Sequence, residues 1–323
     1  MHCELVVPGL FAAAAATRAP ALELLLARGR GRGGESQRLE GWLREAFGLD
    51  EQPLAAGALT AADAGEAFWA RADPVHLRLM RDRLMLVPAA AFSISAAEAA
   101  ALCEALNRHF PALAFAPVEP SRWCVRLAGD LQGVSLENPL DLAGREVGLA
   151  LPAAGHRLVN EAQMLLHAHP LNAAREARGE PAVNSVWLWG AGRAPRVPPS
   201  PWQSVSADDP LALGLARAAG ARHRTLAGSA AAWLERVPGE GRHLVVLDAL
   251  RAPLALSQQA ECRAVLEALE RDWFAPLLGA LRSGRVGMVT VHVPEGGERS
   301  SFETIRGDLR RFWRRPRALE HYA

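Results

Sequence analysis

The chain is predicted to be an α/β protein: a mostly parallel sheet with helices on both faces, carrying an inserted small α+β lobe. Three observations predict it. Short apolar runs alternate with helical stretches from residue 183 to 293, the rhythm of a parallel sheet. Between about 71 and 182 the rhythm changes to paired strands followed by long helices. Finally, 323 residues of which 50% are hydrophobic can fill a core larger than one small domain needs.

His2-Cys-Glu-Leu-Val-Val7 reads as a strand running into a Pro8-Gly9 turn. The alanine run 11–16 and Pro20–Arg28 read as helix, with Gly29 as the stop. Arg28 to Gly34 reads as a mobile Arg/Gly loop. Helical patterning resumes over 39–47 and 61–69. Val75–Met80 and Arg83–Val87 form a predicted hairpin turning at Arg81-Asp82. Ser95 with Glu98 makes a capping box for a helix ending near His109. Strands follow at 112–117 and 123–127, then a helix over 158–167. Val183–Gly190 is the next strand, and the four prolines between Arg193 and Trp202 exclude regular structure. Helices at 211–219, 230–236 and 258–281 then alternate with strands at 223–226, 243–247 and 286–293. The expected division is therefore an α/β core from 1–70 and 183–323, with 71–182 as the inserted lobe.

Composition narrows the function. The 36 basic and 35 acidic residues leave a net charge of +1, which disfavours a nucleic-acid binder. Every basic residue is arginine, so a Schiff-base or P-loop lysine is excluded. With the abundant alanine and glycine, this points to a GC-biased bacterial genome. The cysteines, Cys3, Cys103, Cys124 and Cys262, have no ligand spacing, and a reducing cytoplasm is expected. No run is long and apolar enough for a membrane span. Six arginines with Phe312 and Trp313 lie between Arg306 and Arg317. Such a mixture suits RNA or a membrane surface, but a solvated terminal helix closed by Pro316 is the plainer expectation.

The densest polar signal is His167-Ala-His169-Pro-Leu-Asn172, then Arg175 and Arg178, then Trp187-Leu-Trp-Gly190-Ala-Gly192-Arg193. Histidines two apart do not share a helix face, so a helix-borne metal pair is excluded. The segment is either a helix stop with a structural turn, or an anion-binding loop in which Arg193 grips a carboxylate or phosphate.

Taken with Asn160, Gly179, Pro181 and Asn184, these motifs resemble the archaeal-type cofactor-independent phosphoglycerate mutases of the alkaline phosphatase superfamily. The pattern is most similar to the RpfE-type regulatory proteins of proteobacteria. The resemblance implies an alkaline phosphatase-like core, two divalent metal ions (Mn or Zn) held by several Asp and His residues, and a Ser or Thr nucleophile. Here the first ligand position, at the end of the N-terminal strand, reads Val6-Val7-Pro8-Gly9, without an Asp. Asp248 is the one candidate after the 243–247 strand, His292 or Glu295 after the last, and Thr17 the hydroxyl nearest the nucleophile position. The resemblance thus implies a degenerate metal site, no cofactor, and a regulatory or ligand-sensing protein without mutase activity. An active metal-dependent mutase or phosphatase is the alternative, and a scaffold with an empty cleft a third reading. The expected ligand is a phosphorylated or carboxylated metabolite in a cleft between the lobes, held by Asn184, Gly190, Gly192, Arg193, His169, Asn172 and Arg175, with Arg71 or Arg78 as further cations. A protein partner is expected without a stated identity.

Overall fold

The computed structural model describes residues 1–14, 17–49, 54–61, 63–80, 83–129, 137–146, 153–237, 239–295 and 300–322. Among them are twelve strands: β1 (His2–Val6), β2 (Arg30–Arg32), β3 (Phe68–Met80), β4 (Arg83–Pro88), β5 (Ala114–Glu119), β6 (Arg122–Leu127), β7 (Ser185–Gly192), β8 (Ser204–Ser206), β9 (Arg222–Arg224), β10 (Arg242–Val246), β11 (Met288–His292) and β12 (Ser301–Ile305). The chain divides into two compact units, Met1–Asp50 with Val197–Ala323, and Glu51–Arg196.

The first unit is built on a seven-stranded sheet in the order β2-β12-β11-β1-β10-β8-β9. Its strands from β11 through β9 run parallel, and β12 and β2 extend it antiparallel at one edge. Parallel strands covered on both faces need apolar residues on both, and β1, β10 and β11 supply them. Cys3, Leu5, Val7, Val245, Leu247, Val289 and Val291 face one hydrophobic cluster, which the helices Pro20–Arg28 and Ala275–Ser283 complete.

The expected helix over 258–281 is interrupted by a π turn at Glu270–Phe274. That turn aims the Glu270 carboxylate at the backbone N–H groups of Ala21 and Leu22, 2.7 and 3.2 Å away. It thus caps the start of Pro20–Arg28, whose own N-cap residue, Ala19, has no acceptor side chain. Residues 11–14 form turns rather than helix, because a short alanine run cannot repay nucleation. The Arg/Gly loop is partly ordered as β2, which pairs with β12.

The second unit holds an antiparallel sheet in the order β4-β3-β6-β5, with β7 also on β3. The helices Ala96–His109 and Ala153–His167 cover it, and Ser95 and Glu98 form the expected capping box. Two expectations need correction. The expected strand near 183–190 does not join the parallel core: β7 pairs with β3 from Ser185↔Val75 to Gly192↔Trp69. Strand–helix alternation does not say which sheet a strand joins. The helix expected over 61–69 is instead a short helix, Ala56–Thr60, followed by β3, because Phe68 and Trp69 pair across to Leu127 and Arg126. Residues 51–70 and 183–196 therefore lie in the second unit. The expected hairpin turn at Arg81-Asp82 lies outside the described residues.

Candidate functional site

In open α/β sheets, ligands lie beyond the carboxyl ends of the parallel strands. Here β1, β10 and β11 end together: the N–H of Val7 donates to the carbonyl of His292 (2.9 Å), and that of Leu247 to the carbonyl of Val6 (2.8 Å). Pro8 is buried. Gly9 has φ +74°, and its N–H donates to Glu295 Oε2 at 2.8 Å. Its left-handed φ is what favours glycine here, since the nearest atom to an added Cβ, Leu254 Cδ1 at 2.3 Å, ends a side chain that can turn aside. Asp248 is half-buried, and its carbonyl accepts the Arg251 N–H (3.0 Å), while the Arg251 guanidinium pairs with Glu40 (2.8 Å). Thr17 is buried ahead of the helix Pro20–Arg28, its N–H on the Ala14 carbonyl.

One buried carboxylate organises the sheet face below these ends. Glu4 sits in the middle of β1, and the pleat turns it away from Cys3 and Leu5. Its Oε1 accepts Arg242 Nε at 2.7 Å, and its Oε2 lies 3.6 Å from His292 Nε2. His2 Nδ1 is 3.4 Å from Oε1, while its Nε2 meets Thr290 Oγ1 at 2.8 Å. Burial alone would raise the Glu4 pKa, yet the donors around it, His292, Arg242 and Trp202, hold it down at about 2. Aromatic rings close over the group: Trp42 lies 5.1 Å from the His292 ring, and the Arg242 guanidinium stands 5.8 Å from the Trp202 centroid. His292 Nε2 and Trp202 Nε1 are buried without a partner at hydrogen-bond length.

These residues do not fit a pair of divalent ions. Each hard dication takes about four to six oxygen or nitrogen ligands. Pro8 offers no donor side chain, Glu295 is engaged by the Gly9 amide, and Glu4 is paired with arginine. Among the described residues no three His, Cys, Asp or Glu side chains are grouped so as to hold a metal ion.

In the second unit, the motif residues serve mainly as internal ties. His169 caps the helix Pro170–Ala177, its Nδ1 accepting the Leu171 N–H at 3.2 Å. Asn172 donates to the carbonyls of Leu166 and Val183 (2.8 and 2.9 Å) and accepts the Val183 N–H (2.8 Å). Arg175 is fully buried: it donates to the Pro181 and Ser93 carbonyls (both 2.9 Å) and to Glu98 (3.1 Å). The Asn184 amide pairs with both backbone groups of Leu77, extending the β3 ladder where Pro181 and Ala182 supply no strand. Gly190 and Gly192 let the short helix Ala56–Thr60 approach β7; a Cβ on either would fall within 3.0 Å of Ala56 or Ala55.

Arg193 is exposed and donates to the Glu66 carbonyl. Arg78 is exposed on β3. Arg71 is buried against Asp73 (2.5 Å), whose other oxygen accepts Trp189 Nε1 (2.7 Å). Sequence reasoning did not single out Asp73 or Glu4. The available signal was an acidic residue inside a strand-like run, next to apolar residues on both sides for Glu4 and close to a strand arginine, Arg71, for Asp73.

No family model matches the chain. A 134-residue stretch, 39% of this chain and 34% of the relative, is 31% identical to the probable 2,3-bisphosphoglycerate-independent phosphoglycerate mutase of Geobacter sulfurreducens. The enzyme of that name from Methanosarcina barkeri is 31% identical over 115 residues, 33% of this chain and 29% of the relative. The matches thus span about a third of the length of these curated relatives. Among solved structures, the PH0037 protein from Pyrococcus horikoshii superposes with a TM-score of 0.57 over 94% of this chain and 86% of that one, at 14% identity, which shows a shared fold. The chain is a distant relative of the cofactor-independent phosphoglycerate mutases.

Proposed function

We propose that this protein is a non-catalytic regulatory relative of the cofactor-independent phosphoglycerate mutases, comparable to the RpfE-type proteins, which senses a phosphorylated or carboxylated metabolite. The observation that carries this reading is the donor set at the strand ends. A proline stands where β1 would present its first carboxylate, and two nearby acidic residues, Glu295 and Glu4, are committed to Gly9 and Arg242. Without clamped dications there is no activated nucleophile and no charge to stabilise a transferring phosphoryl group.

The test combines metal analysis of the purified protein with mutase and phosphatase assays in Mn, Mg, Co and Zn. Substoichiometric metal and no turnover are expected. The kinship itself favours the alternative of an active metal-dependent enzyme, and two bound ions per chain with turnover lost in Asp248→Ala would establish that instead.

A further inference from the structure

The C-terminal arginine segment is not the solvated helix expected from sequence. Arg306–Arg310 is one 3-10 turn, after which the chain runs in open turns along the helix Pro20–Arg28 and the edge strand β2. Backbone carbonyls hold it there: Arg314 Nη1 donates to Gly29 (2.7 Å), Arg311 Nη1 to Arg28 (3.2 Å), and Arg28 in return to Leu309. Between segment and edge lies an open groove of about 930 Å³, lined by Arg30, Arg314, Arg315, Arg317, Trp313 and Tyr322 among others.

The groove's chemistry is specific in two respects. It is a positive surface: four arginines, Arg30, Arg314, Arg315 and Arg317, line it, and among the described residues no acidic one does. The guanidinium groups of Arg30 and Arg315 make no ion pair or hydrogen bond to another described residue, and both are exposed. It also displays an aromatic ring to solvent: Trp313 is 66% exposed and packs edge to face at 5.3 Å on Phe312, the residue before it, which is 77% exposed. Large exposed rings cost solubility and mark a contact surface. The near-neutral charge of the whole chain averages over this feature and hides it.

We propose that this groove binds a single-stranded nucleic-acid segment, its phosphates on Arg30, Arg314, Arg315 and Arg317 and a base stacked on Trp313. Guanidinium groups with stacking rings along an open groove form the sequence-tolerant platform that single strands use. A concave groove fits a flexible polymer better than a flat bilayer.

Fluorescence anisotropy of a labelled short oligo(dT), titrated with the full chain, tests this. Binding is expected at low salt, with log K falling against log salt at a slope of about −2 to −3, for three or four neutralised phosphates at roughly −0.7 each. Arg30→Glu with Arg315→Glu should weaken binding at least tenfold, and neither side chain contributes a contact the fold needs. Trp313→Ala should weaken oligo(dT) about tenfold, the size of one lost stack, but leave a heparin fragment without bases unaffected. Circular dichroism of both variants should match the parent. No binding at low salt, an unchanged affinity in Trp313→Ala, or binding to phosphatidylglycerol vesicles without binding to oligo(dT) would each overturn the proposal.

Discussion

Glu4 on β1 and Arg242 on β10 form a diagonal cross-strand ion pair, Nε to Oε1 2.7 Å, with the carboxylate buried and the guanidinium half in water. This asymmetry decides its energetics. The carboxylate bears the desolvation penalty, while arginine keeps much of its hydration, so losing the acid and losing the base have different consequences.

A pKa near 2 in the fold, against about 4.5 for a free glutamate, links Glu4 to stability. A depressed carboxyl pKa contributes stability that is full above the unfolded value and lost as pH falls through the folded one. The contribution is on the order of 3 kcal/mol. Denaturant midpoints of the parent should therefore fall steeply between about pH 4.5 and 2, whereas Glu4→Gln should be less stable at pH 7 and show a shallower acid limb. Parallel pH curves for the two proteins would refute the linkage.

In the second unit, Arg175 and Asn172 are expected to behave as structural residues. Arg175→Met strands the Ser93 and Pro181 carbonyls and leaves Glu98 without its buried partner. Asn172→Ala frees both backbone groups of Val183. Each substitution should cost about 2–4 kcal/mol in urea unfolding. Losses under about 0.5 kcal/mol, the range of neutral surface changes, would return these residues to the ligand-binding role expected from sequence.

The second unit also shows where sequence reading ends. β1, β10 and β11 were legible because parallel strands buried on both faces are continuous apolar runs. The Ser95 capping box was legible because its partners are three residues apart. β8 was not, since Ser-Val-Ser carries no periodicity and its strand character comes from pairing with β10 and β9. Arg242 and His292 meet Glu4 across more than two hundred residues, so only the glutamate itself offered a sign. An asparagine or arginine committed to backbone carbonyls is the same letter as one committed to a ligand. Sequence alone therefore leaves the Asn172 and Arg175 motif open between a structural turn and an anion-binding loop, while the hydrogen-bond partners of both residues in the fold are internal.

Gly190 tests the packing of the short helix on β7. Its φ of +56° disfavours any side chain, and a Cβ would stand 2.6 Å from Ala56 Cβ and 3.1 Å from Ala56 N. Gly190→Ala should destabilise by roughly 2 kcal/mol or more, through left-handed strain and overpacking together. In Gly179→Ala, φ is also positive at +75° but nothing stands within 4 Å, so only the strain should remain and the loss should be smaller. Equal losses at the two sites would show that contact with Ala56 carries no energy.

Arg193 tests the metabolite reading most directly. It is a solvent-facing cation of the motif whose guanidinium is held by the Glu66 carbonyl, a single exposed contact, so Arg193→Ala should fold normally. A ligand that binds only the native state, present at about 100 times its Kd, stabilises by roughly 2.7 kcal/mol. At about 2–4 °C per kcal/mol for a domain of this size, a thermal-shift screen of phosphorylated three-carbon acids and dicarboxylates would register it as a rise of several degrees. The Arg193→Ala protein should lose most of that rise while keeping the Tm of the ligand-free parent. Hits indifferent to Arg193→Ala would place any anion elsewhere on the chain. A screen without hits would favour the scaffold reading, in which the work is done away from this loop.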